Sequence, residues 1–201
     1  MARRTDPEKH AARRQHILNS AAVLFAEQGY ERTTTAQLCS QAGIGLGTLY
    51  HYFSGKKRIF LEVLTQDEQD TRALLDRLMS APEPLEALLT FVAHLAEPAT
   101  THPIVPKLVL EAMLQAHRDS QVLEVLNNQE VSEAEGIKAL LQRAAEAGHV
   151  DAELDLDEAA AWISSLIGAL YLQAATHPDF DPATHQPHLI RSVRTFLRPL
   201  E

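Results

Sequence analysis

Residues 33–53, TTTAQLCSQAGIGLGTLYHYF, decide how this chain folds. Thr34 followed three positions later by Gln37 has the form of a capping box, in which a hydroxyl meets a free helix-start N–H and the amide reaches back. Leu38 and Ala42, with Cys39, then form a short apolar stripe. Gly43 ends that helix, Ile44 plugs the turn, and Gly45 opens a further helix over Leu46–Phe53. A helix, a three-residue turn containing Gly and a second helix make the helix-turn-helix spacing. Such a unit lays its second helix in the major groove of DNA while the first crosses the backbone.

Upstream, Ile17, Leu18, Ala21, Ala22 and Phe25 fall on one face of a helix running from Pro7 to Gln28. Gly29 is placed to end it as a left-handed cap, and Tyr30 to cover its end. Arg13 and Arg14 sit toward the start of that helix, where its dipole does not favour them, so attraction to an external anion is a reasonable motive. The charge distribution points the same way. Residues 1–60 hold nine Lys and Arg, among them Arg3 and Arg4, against four Asp and Glu, a balance of +5. The whole chain carries −9, which leaves −14 for residues 61–201. A small basic segment on an acidic body is the footprint of a polyanion-binding module, although a solvated basic face gives the same count.

The chain as a whole reads as all-α: 201 residues, 45% hydrophobic, rich in Ala, Leu, Glu and Gln, with no run alternating at period two. A single cysteine, Cys39, excludes an intrachain disulfide and fits a reducing compartment. The opening MARRTDPEKHAARR has no apolar region of the kind a signal peptide needs. The most apolar run, residues 159–175, is too short to span a bilayer comfortably, so the expectation is a cytoplasmic protein.

The run ILNSAAVLFAEQGYERTTTAQLCSQAGIGLGTLYHYFSGKKRIFLEVL, covering roughly the first 64 residues, resembles the N-terminal domain of tetracycline-repressor-type (TetR family) transcriptional regulators. The features that carry the resemblance are the AA-x-LF-x-x-x-GY helix end, the TT start, the AG turn, GTLY-x-YF and the lysine three residues after Phe53. The resemblance implies that Thr48, Tyr50, Tyr52 and Lys56 touch DNA phosphates, that Gly47 permits close approach, and that His51 faces the groove. Hydroxyl and ammonium donors of this kind set register on the duplex without reading sequence. Thr34 serves as a cap and a phosphate donor. Where the family often has Ser and a polar residue, this chain has Gly45 and Leu46. Leu46 offers a base edge only apolar contact, as with a thymine methyl, leaving hydrogen-bonded readout to Gln37, Thr35 and His51. Leu49 and Phe53 are assigned to the core, and Lys57 and Arg58 are either solvated charges or direct contacts.

The expected division is a DNA-binding domain over residues 1–55 and a helical ligand-binding and dimerisation domain over 56–201, with about nine helices. A long helix from Lys56 to about Met79, apolar at Ile59–Leu64 and again at Leu74–Leu78, is expected to anchor in both. Helices are then predicted at 84–97, 104–117, 120–147, 155–176 and 183–198, with Pro98, Pro103 and Pro106 bracketing the first joint. Residues 159–175, AAAWISSLIGALYLQAA, are apolar nearly all round, and a helix with two apolar faces needs two partners. The resemblance implies a homodimer built from the last two helices, here residues 155–198. It also implies a ligand pocket among the body helices, for which Phe91, His94, Met113, His117, Trp162, Leu166 and Tyr171 are candidate residues. Few are charged, which suggests a largely apolar effector, oriented by His94, Glu111, Gln115 or His117.

Ten histidines show no zinc-finger spacing, and nothing resembles a nucleophile elbow or a phosphate-cradling loop, so neither metal, cofactor nor catalysis is expected. The leading expectation is a ligand-responsive dimeric repressor of a pseudo-palindromic operator. The alternatives are an activator or co-repressor-dependent regulator, and a carrier or enzyme with a vestigial helix-turn-helix.

Overall fold

The computed structural model describes residues 7–198. Arg3 and Arg4, counted above in the basic segment, lie outside the described residues. Every regular element among these residues is a helix: α1 Pro7–Gln28, α2 Thr35–Ala42, α3 Leu46–Tyr52, α4 Lys56–Leu64, α5 Glu68–Leu78, α6 Pro84–Thr101, α7 Val105–Ala116, α8 Ser120–Glu146, α9 Leu156–Thr176 and α10 Pro182–Phe196. The all-α reading holds. The chain folds as two compact units, one formed by residues to Gln66 together with Glu111–Val125, the other by Asp67–Leu110 together with Leu126 onward.

In the first unit, α1 buries Ile17, Leu18, Ala21, Ala22 and Phe25, the stripe its periodicity marked out. Gly29 closes it at φ 82, a left-handed value that favours glycine. Tyr30 covers the end, its ring centroid 5.8 Å from Phe25 and 4.9 Å from Phe60. Phe25 and Phe60 meet edge to face at 5.0 Å, so α1 and α4 are joined through aromatic rings. Leu38, Leu49, Phe53, Ile59 and Val63 complete the buried set.

The helix expected from Lys56 to Met79 is two helices. α4 ends at Leu64 and α5 begins at Glu68. The apolar ends behave as expected: Ile59, Phe60 and Val63 are buried in the first unit, while Leu74, Leu75 and Leu78 pack on the core of the second. The polar stretch between them has nothing to bury. There the Thr65 hydroxyl donates to the Leu61 carbonyl at the end of α4.

In the second unit, α6 packs against α5, α9 and α10, and α9 against α10. The core comprises Leu88, Phe91, Val92, Ile137, Leu140, Leu141, Ile163 and Val193, among others. Gly136 of α8 is where α5 and α6 press closest, since a Cβ there would lie 3.0 Å from Leu75 Cδ2 and from Phe91 Cε1. Arg143 of α8 donates to the carbonyls of Leu78 and Ala81 at 2.9 and 2.8 Å, capping the end of α5. Pro98 does not end α6, which continues through it to Thr101. Ala96 and Ala99 are buried on either side, and that packing holds the helix together across the missing N–H. By length and composition α9 could cross a membrane. One face of it, Ala159, Ala160, Ile163, Ile167 and Leu170, is instead buried in this core.

Candidate nucleic-acid interface

The helix-turn-helix forms as its residues require. Thr34 caps α2: its hydroxyl accepts from the Gln37 N–H at 3.2 Å, and Gln37 Oε1 accepts from the Thr34 N–H at 2.9 Å. Gly43 adopts φ 61 and donates back into the last turn of α2. Gly45 precedes α3 in an extended conformation with no side-chain cap. Leu49 and Phe53 are buried, which seats α3 on the core by one face. The opposite face presents Leu46, Gly47, Thr48, Tyr50 and His51, all exposed, with Tyr52 half-buried. Leu46 and Tyr50 are each 52% exposed, so Tyr50 is not a core aromatic. A Cβ on Gly47 would meet nothing within 4 Å, so no internal contact explains the glycine. The His51 and Tyr52 rings lie 5.2 Å apart, and His10 of α1 stands 4.5 Å from Tyr52.

The charged groups are more occupied than their count suggests. Arg14 pairs with Glu62 of α4 and lies 5.0 Å from the Phe53 ring centroid, so it is not held in reserve for an external anion. Arg58 also pairs with Glu62, and Lys57 pairs with Asp119 at 2.7 Å. Both are thus ion-paired side chains rather than free solvated charges. Lys56 Nζ donates to the Tyr30 carbonyl at 2.7 Å and sits 4.1 Å from the Tyr30 ring centroid. Burial pulls its ammonium below lysine's usual range, against the opposing field of Glu31.

Tyr30 is the pivot of this arrangement. Its N–H donates to Glu111 Oε1 at 2.8 Å, its carbonyl accepts from Lys56, and its ring lies tilted against both Phe25 and Phe60. Burial, then the charges of Asp119 and Glu31, raise its phenol above the ordinary range. Glu111 also accepts from Gln115, which is buried. These two side chains, read from sequence as orienting an effector, instead hold the loop between α1 and α2. Nothing in the local pattern signals this, because Tyr30 and Glu111 are 81 residues apart.

Gln37 is likewise taken up. Its Oε1 serves the cap, and its Nε2 donates to Gln28 Oε1 at 3.3 Å. One amide hydrogen of Nε2 is left over for base readout. Thr35 is half-buried in the first turn of α2.

The candidate effector residues separate. Phe91 lies inside the second unit's core; Leu166 and Tyr171 are partly buried against it. Tyr171 donates to the Leu95 carbonyl at 3.0 Å, and His94 bonds Thr71 at 3.1 Å. Trp162 is 52% exposed on α9. Met113 and His117 belong to the first unit, and both are exposed. A surface cavity of about 360 Å³ in the second unit is lined by Ala93, Gln186, Pro187, Ile190, Arg191 and Arg194, none of them on the expected list.

Sequence patterning gave no sign of Glu133 on α8. Burial, then the charges of Glu130 and Glu68, push its carboxyl up to about 7, and its charge adds to the burial that raises the Tyr171 phenol. A carboxyl with a raised folded pKa stabilises the protein fully below its unfolded value near 4.5. That contribution is lost as the pH rises through about 7. The loss amounts to at most about 3 kcal/mol. Glu133→Gln should therefore flatten the pH dependence of the melting temperature between about pH 5 and 8, raising it chiefly at the alkaline end. An unchanged pH profile would mean that Glu133 ionises freely.

Residues 17–63 match the family described as "Bacterial regulatory proteins, tetR family". The chain is 27% identical over 146 residues to the HTH-type transcriptional regulator UidR of Escherichia coli K12, covering 71% of each protein. It is 41% identical over 58 residues to the transcriptional repressor KstR2 of Mycolicibacterium smegmatis, covering 29% and 28%. The fold is similar to that of the transcriptional regulator FadR of Bacillus subtilis, solved in complex with stearoyl-CoA. That match has a TM-score of 0.75 and 18% identity, covering 92% of this chain and 99% of the other.

Proposed function

Because this chain belongs to the TetR family of transcriptional regulators, we propose that it is a ligand-responsive repressor that binds a pseudo-palindromic operator as a homodimer. The observation that carries this reading is the exposed face of α3, whose opposite side is sealed into the aromatic core. Thr34, Thr48, Tyr50, Tyr52 and Lys56 are the proposed phosphate contacts, while Gly47 admits the backbone. Leu46, His51 and Thr35 face the bases. Lys56 keeps a third ammonium proton beyond those it gives to the Tyr30 and Glu31 carbonyls, enough for one phosphate. The protein works in the bacterial cytoplasm, on the nucleoid when DNA-bound.

The dimer is proposed to form through residues 155–198. The outward face of α9 supports this: Ala161, Trp162, Gly168, Ala169 and Leu172 are exposed and uncharged, and small residues there allow close helix approach. Trp162 suits that face better than it suits a pocket. Two recognition helices related by a twofold axis then address two half-sites.

The effector is proposed to be a small, largely apolar molecule bound among Phe91, His94, Leu166 and Tyr171. Its signal travels along α7. That one helix begins in the second unit and ends in the first, where Glu111 grips the Tyr30 N–H. The interrupted α4–α5 segment is a poorer lever. Coupling of this kind shifts operator affinity by typically about 1–3 kcal/mol.

The test is a binding titration on duplexes from the DNA upstream of the protein's own gene, with and without stearoyl-CoA or stearate as first apolar probes. Release by either probe supports an effector-relieved repressor, and tighter binding would make the protein co-repressor-dependent. In the same titration Lys56→Ala should weaken operator and random DNA alike and reduce the salt slope by about one unit per subunit, about two for the dimer. A changed base preference with the slope intact would remove Lys56 from the phosphate contacts.

A further inference from the structure

We infer that the half-site contains a thymine whose 5-methyl group is read by the Leu46 side chain, flanked by Tyr50. The inference rests on the DNA-binding role proposed for α3. Residues 45–53 contain no Arg, Lys, Asn or Gln, so α3 lacks every side chain that reads guanine or adenine by paired hydrogen bonds. Of the two amides on the preceding helix, Gln37 has its oxygen in the α2 cap and its amide nitrogen on Gln28. Gln41 carries the other amide of α2 and is exposed there. Beside the polar Thr48 and His51, α3 presents an exposed apolar pair. Leu46 and Tyr50 stand one helical turn apart, and each is 52% exposed. With open space around both Gly45 and Gly47, no neighbour shields the Leu46 side chain from an approaching base edge. In the major groove the thymine methyl is the one apolar mark on a base pair, and an apolar side chain is its natural reader. Covering Leu46 with a methyl removes apolar surface from water on both partners at once.

The experiment selects duplexes from a random-sequence library with the full-length protein, then remakes the enriched duplex with deoxyuridine in place of thymine, one symmetric pair of positions at a time. Burying one methyl group corresponds to about a fourfold change in affinity per half-site, and so to about sixteenfold for a symmetric pair. We expect one such pair to show that loss. We also expect Leu46→Ala to bind the thymine and uracil duplexes equally, at the affinity the parent has for uracil. That outcome is the signature of a coupled pair in a protein-by-DNA cycle. If Leu46→Ala discriminates thymine from uracil as well as the parent does, or if no thymine position is sensitive, the inference is overturned while the DNA-binding role stands. If no duplex is enriched and none is retained at low salt, the DNA-binding role itself falls, and this inference with it.

Discussion

Phe60→Ala is expected to lose about 3–5 kcal/mol of folding stability and, with it, DNA binding at ordinary temperatures. The ring is fully buried, meets Phe25 edge to face at 5.0 Å and supports Tyr30 at 4.9 Å. Truncation leaves a cavity at the point where α1, α4 and the loop between α1 and α2 converge. Tyr30 then keeps its main-chain bonds to Glu111, Lys56 and Thr33, the Lys56 ammonium over its ring and its contact with Phe25, but loses the ring beneath it. Because α2 begins directly after that loop, the presentation of α3 depends on it. Chemical denaturation followed by circular dichroism checks the stability change. Tyr50→Phe on the exposed face should alter stability by no more than about 0.5 kcal/mol. If Phe60→Ala unfolded at the parent's midpoint, the aromatic cluster would not be what organises this unit.

Trp162→Glu is expected to give a folded monomer that binds its operator at least about a hundredfold more weakly. An exposed tryptophan on an uncharged helix face is the kind of anchor that dominates an interface. A glutamate at that position would be buried against its own symmetry mate in the dimer, placing two unpaired carboxylates across a twofold axis. Losing the second subunit removes the effective concentration that makes the second half-site contact intramolecular, an effect of about 10² to 10⁴. Sedimentation velocity reports the oligomeric state, and binding to an isolated half-site should be unchanged. A Trp162→Glu protein that remained dimeric would move the interface away from α9.

Much of the first unit was legible because its signals are local. The α1 stripe, the Gly29 and Gly43 caps and the Thr34–Gln37 box each involve residues within a few positions of one another, and all form as read. The two apolar ends of the stretch from 56 to 79 were also legible, but not the break between them. That break reflects what the polar middle fails to bury. Pro98 misled in the opposite direction, since burial on both sides carries α6 through a residue that usually ends helices.

The site was harder to read where a side chain's partner lies far away in sequence. Glu111 reads in sequence as a pocket residue but accepts from the Tyr30 N–H, and Arg14 reads as a free cation but pairs with Glu62. Gln37 shows a subtler limit. Its capping role was visible in the spacing, but its second bond, to Gln28, was not, and the two together leave it a single amide hydrogen for base reading. The effector region was the least legible. A partly buried residue in a helical bundle looks the same whether it packs a core or lines a cavity, and Phe91 against Gly136 shows how tight that core is.

The most direct test of a DNA-bound dimeric regulator is the affinity of the full-length protein for its own upstream DNA as a function of salt. The account predicts dimers that bind that duplex in preference to random DNA, with affinity falling at least about tenfold between roughly 50 and 200 mM salt as the two Lys56 contacts release counterions. Affinity that is absent at the lowest salt, or the same across the salt range, would contradict it.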